Sequence, residues 1–247
     1  MFSEMPLFLF TLLGGLAAGI YAMAACFPKA FEGKKPFIVP AVVLVLLAVG
    51  GVALLFHLGR PERMILAFRN ISAGITQEAY ATIAFGVVVV IDLVITLTKK
   101  PVSQALRIVG AVLGVVLVVV MANAYFGIAT NAAMNSVATF ALFVLCATAM
   151  GSTFAGALCV DETVAKMVAK ISTGTAALAA VSMLIEGAVF VAAGLDIAPF
   201  AVAAVVAAAG AACAWLVPKK GTALAYAACA LVIVASAISR YAFYLAI

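Results

Sequence analysis

Apolar runs of about 20 residues recur along the chain, each closed by a short break carrying Lys, Arg, Asp, Glu, Pro or Gly. At a rise of about 1.5 Å per residue, a helix of that length crosses a hydrocarbon core of about 30 Å. The pattern predicts eight transmembrane helices, near 6–27, 36–58, 79–98, 106–126, 137–160, 171–193, 198–217 and 222–245. The implied fold class is all-α, a polytopic membrane protein in which residues 1–247 form a single transmembrane domain.

Composition agrees with this reading. Hydrophobic residues make up 68% of the chain and charged residues 9%, too few to cover a water-soluble surface. The opening segment, MFSEMPLFLF, has Glu4 where a secretory leader would carry basic residues, and the run from Pro6 to Phe27 is long enough to remain as a span, so the first helix is expected to be retained.

With an even number of spans, both termini share one side. The loops after spans one, three, five and seven carry Lys29, Lys34, Lys35, Lys99, Lys100, Arg107, Lys166, Lys170, Lys219 and Lys220, whereas the opposite side has Arg60, Arg63, Arg69 and Arg240. Basic loops stay in the cytoplasm, so the termini and the loop after span two are expected on the extracytoplasmic side. The net charge of +5 then reports topology and contact with anionic lipid, and no nucleic-acid partner is expected.

Cys26, Cys146, Cys159, Cys213 and Cys229 stand singly in apolar segments, with no C-x-x-C pair near the lone histidine, so no metal site is expected. Glycines spaced four apart, Gly15 with Gly19 and Gly110 with Gly114, together with the alanine-rich seventh span, suit close packing between membrane helices.

Ionisable groups at membrane depth are costly and direct attention to function. His57, the only histidine, sits at the outer end of span two, where it could serve chemistry or merely bond a carbonyl. Met64, Ile65, Phe68 and Ile71 follow at helical spacing among Arg60, Arg63, Arg69 and Asn70, which suits a short interfacial helix or an ordinary connector. Thr76 and Glu78 open span three, either as cap and first-turn acid or as a proton path beside His57. Glu186 and Arg240 lie in the outer halves of their spans, as an ion pair or as walls of a site. Asn123 and Tyr125 add polar groups at that level, while Asp92, toward the cytoplasmic half and near Lys99, suits a snorkelling or paired residue. The candidate site is this outer layer. A single histidine cannot supply bis-histidine haem ligation.

The segment HLGRP at the end of span two, the following loop with Asn70, and ITQE opening span three resemble the membrane anchor subunit of dimethyl sulfoxide reductase, within a wider group of eight-span anchors of molybdopterin oxidoreductases. MANAY in span four, EGA in span six and RYAFY in span eight are weaker echoes. The resemblance implies a haem-free anchor in a bacterial inner membrane that oxidises menaquinol and hands electrons to an iron–sulfur subunit, which feeds a molybdopterin catalytic subunit. It implies that His57 is the quinol-site histidine and Glu78 its nearby acid. Gly59, Arg60, Asn123, Tyr125, Glu186, Arg240 and Tyr244 would complete the quinol site, with no metal bound by this chain. Arg60 after the glycine, short loops and a final span that stops just past Tyr244 depart from familiar members.

Quinol oxidation needs an apolar slot, an acceptor for a hydroxyl proton and a route to water. An imidazole, with an unperturbed pKa of about 6.5, can accept that proton near neutral pH. No electron carrier belongs to the chain, so the partner is expected to dock on the outer face near Arg60, Arg63 and Arg69. A small-molecule or ion transporter and a purely structural anchor are the alternatives.

Overall fold

The computed structural model describes residues 4–31, 35–57, 68–126 and 133–245, with His57 described by its backbone alone. Among these residues there are eight long helices and no strand: α1 Met5–Cys26, α2 Ile38–His57, α3 Gly74–Leu97, α4 Gln104–Asn123, α5 Val137–Leu158, α6 Glu162–Ala192, α7 Ala198–Lys220 and α8 Ala223–Tyr244. Each is long and apolar enough to cross a membrane. A 3-10 turn, Pro28–Phe31, follows α1.

Most boundaries fall within three residues of the sequence expectation, and two differ for local reasons. Helix α3 begins at Gly74, with Ala73 as its N-cap, so Thr76 is not the cap and Glu78 lies beyond the first turn. Gly74 rests on Ala124, and a Cβ there would press against it. Helix α6 starts nine residues early because Asp161 caps it: its Oδ1 accepts the Val164 N–H at 2.9 Å, satisfying one of the free amides of the first turn. The charged stretch after Asp161 is therefore helix and not loop. At 31 residues, α6 is about 46 Å long and must extend beyond the hydrocarbon core.

Helix α1 is the hub. It packs against α2, α4, α5 and α8, and 72% of its span window is buried, against 22% for α3 at the margin. Backbone contact makes this possible: Gly19 of α1 and Gly151 of α5 face each other, and a Cβ on either would strike the other helix's main chain. On the far side of α1, Gly110 of α4 leaves room for the Tyr21 ring and Gly114 lies against Ala18. The expected small-residue contacts therefore form between α1 and its two neighbours. Helices α6, α7 and α8 pack in succession beside α5, and α2, α3 and α4 stand on the other flank.

Candidate functional site

Helices that alternate in direction bring particular ends together. One end of the bundle collects the start of α1, the close of α2, the starts of α3 and α5, and the ends of α4, α6 and α8. There the sequence places Thr11, His57, Glu78, Thr139, Phe143, Tyr125, Glu186, Arg240 and Tyr244.

Arg240 is the largest fully buried side chain among the described residues. Its guanidinium carbon lies 3.1 Å from the centroid of the Phe143 ring, and Nη2 reaches the Phe143 carbonyl at 3.5 Å. Nε and Nη1 have no hydrogen-bond partner among the described residues. Glu186, also fully buried, accepts from the Thr139 hydroxyl through Oε1 at 2.9 Å and leaves Oε2 without a partner. The two residues are close enough to interact electrostatically, but they form no salt bridge. The direct ion pair entertained from the sequence is not formed, because Phe143 holds the guanidinium and Thr139 holds the carboxylate.

Next to this pair runs a chain of hydroxyls. Tyr125 and Tyr244 oxygens are 2.7 Å apart, Tyr244 donates to Thr11 Oγ1 at 3.1 Å, and Thr11 donates to the Phe8 carbonyl at 3.3 Å. A tyrosine has one proton to give, and Tyr244 gives it to Thr11, so Tyr125 is the donor to Tyr244. The Tyr125 oxygen thus keeps lone pairs to accept a further proton donor. Aromatic rings of Phe143, Phe243 and Tyr244 surround it edge-on or tilted. Glu78, 2% exposed, lies within electrostatic range of both tyrosines, and its Oε1 has no hydrogen-bond partner among the described residues.

The expected site residues therefore divide. Glu78, Tyr125, Glu186, Arg240 and Tyr244 form one buried layer. Asn123, two residues before Tyr125, is exposed at the end of α4 and does not join them. His57 closes α2 at the same end of the bundle by its backbone. Gly59, Arg60, Arg63, Met64 and Ile65 lie outside the described residues. Phe68 and Ile71, read from the sequence as part of a short interfacial helix or an ordinary connector, fall in turns: the Phe68 carbonyl accepts from the Tyr80 hydroxyl at 3.2 Å and the Ile71 carbonyl from Gln77 at 3.3 Å. These bonds tie the loop's return to the first turns of α3.

A second polar group occupies the opposite half of the bundle. Asp92 is 1% exposed, accepts from the Tyr21 hydroxyl at 2.9 Å and faces Arg107 Nε at 3.5 Å. It is paired and does not snorkel, and its cation comes from α4 and not from nearby Lys99. Gln104 reinforces the join by donating to the Ala25 carbonyl. Thr11, Thr139, Phe143 and Tyr21 were not singled out from the sequence. Their only signal is helical phase, which places each on the buried side of its helix.

Buried carboxyl and guanidinium atoms without partners are rare in native interiors, because desolvation costs about 1–3 kcal/mol or more for each. Glu78, Glu186 and Arg240 all present such atoms to one layer. That arrangement suits a ligand with hydroxyl or carbonyl oxygens and an apolar body.

Eight apolar spans and this layer define a polytopic helical membrane protein with a polar site buried at one end of its bundle. The family model for the DMSO reductase anchor subunit (DmsC) matches residues 1–245, and the chain belongs to that family. Membership makes it a multi-pass membrane subunit that associates with a catalytic reductase. No curated protein matches the chain.

Proposed function

We propose that the chain binds and oxidises menaquinol in this layer and passes the electrons to an iron–sulfur subunit, which supplies a molybdopterin catalytic subunit in anaerobic respiration. The observation that carries the reading is the convergence of Glu78, Glu186 and Arg240, each with an unpartnered buried atom, at the bundle end where α2 delivers His57.

Oxidation of the quinol releases two electrons and two protons. Glu78 and His57 are the proton acceptors, Glu78 from the first turns of α3 and His57 from the close of α2. Arg240, with two free donors, is suited to hold a quinone oxygen, and the Phe143 ring beneath it keeps the guanidinium from swinging away. Tyr125, whose own proton is committed to Tyr244, offers an acceptor to a quinol hydroxyl. The electrons leave to the cluster of the partner. The loop-borne cations point to docking on this same end of the bundle, and the distribution of lysines supports its being the extracytoplasmic one.

The test is His57→Ala and Glu78→Gln in the assembled complex. Each is expected to abolish or reduce quinol-dependent sulfoxide reduction by at least about 10-fold, while reduction driven by an artificial dye donor to the catalytic subunit persists. Retained quinol-dependent activity in both variants would mean that the chain is a structural anchor only.

A further inference from the structure

Away from the polar layer, at the opposite end of the bundle, a crevice of about 140 Å³ opens between α6 and α7. Its walls are Ala169, Lys170 and Thr173 from α6 and Ala214, Trp215, Pro218 and Lys219 from α7. Nothing in the proposed quinol chemistry uses it.

Three features make it more than a gap. First, it pairs two cations with an aromatic at the membrane boundary: Lys170 and Lys219 are exposed, and Trp215, the only tryptophan in the chain, is 59% exposed. Tryptophan with lysine is the side-chain pair that favours the headgroup level of a bilayer. Second, Pro218 has no N–H to give to the carbonyl of Ala214, four residues earlier, so a wall of the crevice includes a main-chain acceptor deprived of its regular α-helical donor. Third, the α6 surface leading from the crevice toward the bilayer centre is apolar and exposed, with Leu178 at 53% and Val181 at 51%. Cations at the headgroup level and hydrocarbon below match a phosphate and an acyl chain in that order, and the Ala214 carbonyl offers an acceptor to a headgroup hydroxyl folded back beneath the phosphate. Basic pockets between membrane helices are known sites for anionic headgroups.

We propose that this crevice binds one anionic phospholipid of the phosphatidylglycerol type, with the phosphate between Lys170 and Lys219, the headgroup glycerol donating to the Ala214 carbonyl, and an acyl chain lying along α6. The site would clamp α6 to α7 at the end of the bundle where α6 projects beyond the hydrocarbon core.

Trp215 makes the test direct, since the chain has no other tryptophan. The full chain is reconstituted in phosphatidylcholine nanodiscs containing either dibrominated phosphatidylglycerol or dibrominated phosphatidylcholine at equal mole fraction, and quenching of tryptophan fluorescence is measured. Brominated phosphatidylglycerol is expected to quench at least about twofold more at low mole fraction, and the excess is expected to vanish in K170Q/K219Q while surviving in K99Q/K100Q. Equal quenching by the two lipids, or an excess that K99Q/K100Q removes as fully as K170Q/K219Q, overturns the site. Phosphatidylserine has the same net charge without the headgroup glycerol, and an equal excess with brominated phosphatidylserine overturns the headgroup assignment.

Discussion

The guanidinium of Arg240 lies over the ring of Phe143, 97 residues earlier in the chain, and the same residue's carbonyl is its only hydrogen-bond acceptor among the described residues. One phenylalanine thus supplies both the face and the acceptor that hold the cation at membrane depth. A stacked cation–aromatic contact is worth about 0.5–2 kcal/mol, more where water is excluded. Phe143→Leu keeps the carbonyl and removes the ring, and with the lost ring contacts it is expected to cost about 1–3 kcal/mol. Chemical denaturation in detergent, followed by helical circular dichroism, measures it. A midpoint equal to that of the parent chain would mean that the stack contributes nothing.

The hydroxyl chain from Tyr125 through Tyr244 to Thr11 makes a prediction of order. Tyr244 is its middle member, and Tyr244→Phe leaves two hydroxyls needing new partners. Tyr125→Phe disturbs one. Expected losses are about 1–3 kcal/mol for the first and about 0.5–1.5 kcal/mol for the second. The double variant is expected to lose less than the sum, with a coupling of at least about 0.5 kcal/mol in a double-mutant cycle. Strict additivity would show that the two phenols are not bonded.

Asp92 separates the two polar groups of the bundle by function. Asp92→Ala leaves the Tyr21 hydroxyl without its acceptor and is expected to destabilise by about 1–3 kcal/mol. Arg107 is 23% exposed, so solvent screens its share of the pair, and Arg107→Gln is expected to cost at most about 1 kcal/mol. Neither change is expected to alter quinol-dependent turnover per assembled complex by more than about twofold. A large loss of turnover with assembly intact would assign Asp92 to the redox path.

Glycine substitutions test the helix crossing. A Cβ at Gly151 meets the Gly19 main chain, which cannot rotate aside, so Gly151→Ala is expected to cost at least about 1–3 kcal/mol or to block folding. At Gly51 of α2 and Gly174 of α6 a Cβ meets nothing within 4 Å, and Ala is the better helix former by about 0.8–1 kcal/mol. Gly51→Ala and Gly174→Ala are therefore expected to be neutral or mildly stabilising. The contrast between the two kinds of site is read from relative yields of monodisperse protein and from unfolding midpoints.

Span count and the depth of Glu78, Glu186 and Arg240 were legible in the sequence because the bilayer imposes a fixed length and penalises charge, and both constraints act on single segments. Partner choice was not. Asp92 looked toward Lys99, seven residues on and just past the end of its helix, yet its contacts come from Tyr21, 71 residues earlier, and from Arg107 on the next helix. Thr139 and Thr11 read as ordinary helix hydroxyls until the packing of α1, α5, α6 and α8 set them against Glu186 and Tyr244. Asn123 and Tyr125 illustrate the limit at close range. Asn123 is the last residue of α4, whereas Tyr125 lies in the turn that follows it, so shared depth says nothing about shared facing, and only Tyr125 is buried.

The hydrogen bond between Thr11 and Tyr244 joins residues 233 positions apart, from the first helix to the eighth. A ribosome releases these helices in order, so the most enclosed of the eight is made well before α8, with six others between them. Until α8 arrives, Thr11 lacks the Tyr244 hydroxyl that donates to it. Synthesis that stalls before α8 leaves the hub without that bond, and closure of the bundle waits on the emergence of α8.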